Sequence, residues 1–142
     1  LTRGLGHGGA GGAVPVQVGV VQVPAGEVAV LVVAKPWRAQ YVWTSHGPAA
    51  EKAGVAPAIV EAIRMGDTPV FKLDDEAVCY RFCTDMIAGR EADDTLWAEA
   101  QAVFGETGVT ELLGLLGLYT SVCLTMVGYR MPTKNGEPEP LP

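Results

Sequence analysis

Glu27 and His46 stand nineteen positions apart in a chain of 142 residues, the carboxylate heading an apolar run and the imidazole closing the aromatic-rich segment QYVWTSH. A carboxylate that orients an imidazole produces a general acid or base able to work near neutral pH. The chain has two histidines, and His7, with glycine on either side, reads as a solvated loop residue. Acid–base chemistry therefore rests on His46 with Glu27. Around them, Arg38 could anchor a substrate carboxylate, although a solvated residue at a helix start fits it as well. Tyr41, Thr44 and Ser45 could supply hydrogen bonds, and Trp43 and Trp37 could wall a pocket. Ser45 and His46 are not a nucleophilic pair, because neighbours on a helix point about 100° apart. The competing reading of His46 is a core imidazole bonded to a backbone carbonyl.

Three cysteines offer the other possible chemistry. Cys79 and Cys83, four apart on a predicted helix, have parallel side chains that would need distortion to bond. Both lie on an apolar stripe, where a thiol acts as a small hydrophobe and burial raises its pKa, and Cys123 reads the same way. No metal site is expected, since the histidines and core thiols cannot close a zinc shell. An odd cysteine count without a secretory segment points to free thiols in a reducing, cytoplasmic setting. A net charge of −6 with no basic stripe argues against nucleic acid and against a membrane surface. The 49% hydrophobic content is high for one small domain and points to an oligomer.

These residues must be placed by helices. Pro24 and Gly26 punctuate the start of a helix from Glu27, with Val28, Leu31, Val32 and Ala34 on its apolar face and Pro36 ending it near Ala34 or Lys35. A second helix is predicted from about Arg38 to Ala53, stopped by Gly54, with Ala39, Trp43, His46, Ala50 and Ala53 on one stripe. A third runs from Pro57 to Met65. A fourth opens on Asp74, Asp75 and Glu76 and buries Val78, Cys79, Phe82, Cys83 and Met86. A short helix after Asp93 or Asp94 stops at Gly105. The last, Val109 to Val127, is apolar nearly all round. It is read as a central helix, covered by the bundle and a partner subunit, rather than as a membrane span. Residues 1–25 form a glycine- and valine-rich arm, extended or poorly ordered, and residues 133–142 a proline-rich, disordered tail.

The run EVAVLVVAKPWRAQYVWTSHGPAAEKAGV, then IVEAIRMGD, LDDEAVCYRFCTDMI and LWAEAQAVFGETGVTELLGLLGLYTSVCLTMVGYRMP, resembles the carboxymuconolactone decarboxylase family of the alkylhydroperoxidase D-like superfamily. The likeness covers residues 26–132 and implies an all-α, alkylhydroperoxidase D-like helical bundle that assembles as homotrimers or homohexamers. The peroxidase branch uses a Glu, eleven residues, a Cys, two residues, a Cys, three residues and a His. Laid here, Glu and His fall on Glu27 and His46, and the thiol positions fall on Ala39 and Val42, which cannot be oxidised. The decarboxylase branch carries Tyr-Glu-Trp-x-x-His, matched by Tyr41, Trp43 and His46 but with Val42 in place of the carboxylate.

Three functions follow as expectations. The resemblance implies a decarboxylase-like enzyme acting without a cofactor on a small anionic lactone or cyclic acid, with His46 as proton donor. The second is a catalytically lapsed ligand-binding or scaffold protein, and the third a thiol-dependent alkylhydroperoxidase.

Overall fold

The computed structural model describes residue 19 and residues 21–142. His7 and most of the expected N-terminal arm lie outside the described residues. Five helices follow one another, α1 Val23–Trp37, α2 Gln40–Ala53, α3 Pro57–Met65, α4 Asp74–Ile87 and α5 Asp94–Gly128, before a short 3-10 turn at Lys134–Gly136. Every regular element among the described residues is helical, as the all-α reading requires.

The centre of the bundle is α1. All ten residues from Ala25 to Ala34 are buried, and α2, α3, α4 and α5 all pack on this helix. Valine is an indifferent helix former because its branched Cβ is stiff. A segment apolar on every side is instead stabilised by being enclosed, each buried Val or Leu contributing about 1.5–3 kcal/mol. This corrects the expectation that the last helix is central. In α5, Leu112, Leu115, Leu116 and Cys123 face the core, while Leu113, Leu118, Leu124 and Val127 stay exposed. By length and composition α5 is also the one helix among the described residues that would suffice to cross a membrane.

The helix ends show how far local signals reach. Helix α1 starts at Val23, four residues before the expected start, with Pro24 in its first turn, where a missing N–H costs nothing. Pro36 does not end α1 at Ala34 or Lys35; it is carried in the last turn, and the chain leaves the helix at Arg38. There the backbone is left-handed (φ 49°, ψ 42°), and the amides of Arg38 and Ala39 bond to the carbonyls of Lys35 and Ala34 at 3.0 and 3.1 Å. Arg38 thus caps α1 instead of starting α2. Asp93 caps α5 by accepting a bond from the Leu96 amide at 2.8 Å. Within α5 the two predicted helices meet at Gly105, whose φ of 67° and ψ of 176° suit glycine alone.

The tail is not disordered as expected. Leu141 is buried, and the Gln40 amide clamps it, Nε2 donating to its carbonyl at 3.0 Å and Oε1 accepting from its N–H at 2.9 Å. Arg64 Nη1 donates to the Pro140 carbonyl at 2.6 Å.

Candidate acid–base site

In α1, Glu27 lies in the second turn, beyond the first-turn amides that would favour a carboxylate. It is only 1% exposed, so a charge here needs another partner. His46 provides it from α2, with Nδ1 2.8 Å from Glu27 Oε2. The α1–α2 turn at Trp37–Ala39 reverses the chain, and these two positions meet because α2 packs back on α1. The other carboxylate oxygen, Oε1, is buried and has no hydrogen-bond partner among the described residues. His46 is therefore the counter-group to this buried carboxylate, and the reading of a core imidazole on a backbone carbonyl does not describe it.

The second imidazole nitrogen is also engaged. Tyr119 of α5 places its hydroxyl 3.2 Å from His46 Nε2, and the two rings meet edge to face, with centroids 5.1 Å apart at 88°. With Glu27 as a carboxylate, which only accepts, the bond to it takes the Nδ1–H tautomer and leaves the Nε2 lone pair for the phenol. Burial, with the Glu27 charge and then Cys123 adding to it, raises the Tyr119 pKa above the ordinary phenol value. The phenol thus keeps its proton and donates. Glu27, His46 and Tyr119 form one line of hydrogen bonds from the core to a half-buried phenol.

The remaining sequence-predicted residues do not join this line. Arg38 lies eleven residues beyond Glu27, about 16 Å along the helix rise, and its side chain is exposed. Trp43 is a buried core residue. Thr44 Oγ1 donates to the Tyr41 carbonyl at 2.8 Å and accepts from the Lys134 amide at 3.4 Å, so it serves local structure and the tail. Tyr41 and Ser45 are partly buried. Ala39 and Val42, where the peroxidase pattern would put thiols, are buried apolar residues, one at the N-cap of α2 and the other one turn before His46. Four of the cavities among the described residues are lined by other residues than Glu27, His46 and Tyr119.

The cysteines are free and buried. Cys79 Sγ donates to the Ala25 carbonyl at 3.1 Å and lies 3.8 Å from Cys83 Sγ. Its hydrogen bond with Cys83 and then burial push the Cys79 thiol well above the usual range, and burial pushes Cys123 up to about 11. Neither becomes a thiolate near neutral pH, as nucleophilic or redox chemistry requires. Among the described residues no cluster of His, Cys, Asp and Glu could hold a metal ion.

Sequence reasoning missed Tyr119. It lies 73 positions from His46 in a helix so apolar that a tyrosine there reads as packing. No family model, curated protein or solved structure matches this chain.

Proposed function

We propose that the chain is a carboxymuconolactone decarboxylase-like protein of the alkylhydroperoxidase D-like superfamily. It carries out general acid–base chemistry, without a cofactor, on a small anionic lactone or cyclic acid. The observation that carries this reading is the buried Glu27–His46 pair at 2.8 Å, a carboxylate holding an imidazole in one tautomer so that its other nitrogen can pass a proton. Decarboxylation breaks the bond to the departing carbon dioxide and leaves an electron pair on carbon, which must be protonated. The imidazole line is the source of that proton. The exposed Leu113, Leu118, Leu124 and Val127 of α5 support assembly as a homotrimer or homohexamer, and three free thiols suit the cytoplasm.

A second reading, a lapsed member that binds a ligand or serves as a scaffold, is favoured by two observations. No cavity described above reaches Glu27 or His46, and Val42 stands where the decarboxylase motif has a carboxylate. The thiol peroxidase reading is disfavoured by Ala39, Val42 and the buried cysteines.

The test compares the wild-type protein with a variant in which Cys79, Cys83 and Cys123 are all serine. Both are assayed for carbon dioxide release from a panel of carboxylated lactones and for consumption of organic hydroperoxides. Equal lactone turnover by the two proteins is expected. Hydroperoxide consumption that disappears with the cysteines would overturn the assignment in favour of thiol chemistry.

A further inference from the structure

His46 cannot easily meet a substrate itself. Nδ1 is taken by Glu27 and Nε2 by Tyr119, and the residue is 9% exposed. Tyr119, by contrast, is only partly buried and stands where the core side of α5, with Leu115, Leu116 and Cys123, gives way to its exposed side, with Leu118 and Ser121. Of the three linked residues it is the least buried.

We propose that Tyr119 is the catalytic residue that exchanges a proton with the substrate, and that His46 and Glu27 are positioning residues that relay the proton behind it. This rests on the acid–base reading above and changes which atom touches the substrate. In the donor direction a proton taken up from solvent first converts the neutral imidazole to imidazolium, with Nδ1–H still bonded to Glu27 and Nε2–H now donating to the Tyr119 oxygen. The phenolic O–H then points outward. When the carbon–carbon bond to the carboxylate breaks and carbon dioxide leaves, the electron pair on carbon takes the phenolic proton. The Nε2 proton moves to the tyrosine oxygen, so no free phenolate remains. The imidazole ends neutral and is reprotonated from solvent; one proton is consumed and nothing is oxidised or reduced. In the acceptor direction the same transfers run in reverse, and the tyrosine oxygen becomes the base.

The same geometry makes Tyr119 a nucleophile toward an electrophile that needs no specific pocket. With an aryl sulfonyl fluoride, the tyrosine oxygen forms the bond to sulfur, fluoride leaves, and Nε2 receives the phenolic proton. The four tyrosines of the chain are 41, 80, 119 and 129, and Tyr129, 81% exposed, is an internal reference for simple accessibility. Peptide mapping of the labelled 142-residue chain should show Tyr119 modified at least about tenfold faster than Tyr129, on the scale at which a positioned base assists proton transfer. In Glu27→Gln, which retains the side-chain shape, that preference should fall severalfold while Tyr129 labelling is unchanged. Labelling of Tyr119 no faster than Tyr129, or indifferent to Glu27→Gln, overturns the proposal whether or not a substrate is found.

Turnover gives the second arm. On any carboxylated lactone the wild type consumes, Tyr119→Phe should lower kcat about 10²- to 10⁴-fold, with KM within about threefold. A Tyr119→Phe protein that retains wild-type kcat sinks the proposal and leaves the acid–base reading standing. Wild-type protein inert toward every lactone, with Tyr119 still labelled selectively, supports the relay and overturns the decarboxylase reading instead.

Discussion

Replacing His46 with alanine would leave the Glu27 carboxylate, 1% exposed and with Oε1 unpartnered among the described residues, without its hydrogen bond to Nδ1. Breaking a buried charged pair from one side costs about 3–5 kcal/mol, because an uncompensated charge remains in the core. A domain of this size holds about 5–15 kcal/mol in all, so the loss is a large share of its stability. It corresponds to a fall in Tm of roughly 10 °C or more. Glu27→Leu removes the charge at similar volume and leaves only the neutral imidazole Nδ1–H unpaired, at about 1–3 kcal/mol. The double variant Glu27→Leu/His46→Ala has no orphaned carboxylate. It should therefore be more stable than the sum of the single losses predicts, by about 2 kcal/mol or more. Urea unfolding followed by far-ultraviolet circular dichroism, at one protein concentration so that assembly is held constant, gives these values from midpoints at unchanged slope. A His46→Ala loss below about 1 kcal/mol, or strict additivity in the double variant, would refute the claim that the imidazole compensates a buried carboxylate.

Glu76 provides a pH test. Burial, and then the neighbouring Asp75 charge, raise its pKa in the folded protein. The folded state then holds its proton more tightly than the unfolded chain, so this group's contribution falls as pH rises from the ordinary glutamate value through the raised one. Glu76→Gln should stabilise the protein at neutral pH and lose that advantage at acid pH, as thermal melts across the range would show. Native protein should expose none of its three free, buried cysteines to a thiol-specific disulfide reagent over minutes, and all of them in denaturant; a fast-reacting thiol in the native state would contradict the raised Cys79 and Cys123 values. Leu141→Ala should cost about 2 kcal/mol or more, measured by urea unfolding, if the tail is a packed part of the domain; an effect near zero would argue that the Leu141 side chain is not packed in the core.

Where the sequence succeeded, the signals were local. Pro57 and Gly66 bracket α3 as read, the acidic run at Asp74 opens α4, and Gly105 divides α5. Glu27 and His46 do meet, because α2 packs back on α1, although Pro36 stays inside α1 and is not the break that turns the chain. The failures lie where distant parts of the chain meet. A run such as VAVLVVA does not say how many neighbours will enclose it, so α1 was read as one-faced and α5 as central. The contacts of Gln40 with Leu141 and of His46 with Tyr119 span 101 and 73 positions and leave no periodic trace. Arg38 marks the expected start of the second helix, whereas its left-handed backbone caps α1 instead.

The measurement that bears most directly on the central claim is turnover of carboxylated lactones by His46→Asn. Asparagine can still donate an amide hydrogen bond toward Glu27, so the bundle should persist, but it cannot carry a proton between two partners. A folded His46→Asn protein with kcat lowered at least about a hundredfold is the predicted result. A folded His46→Asn protein as fast as wild type would contradict the account.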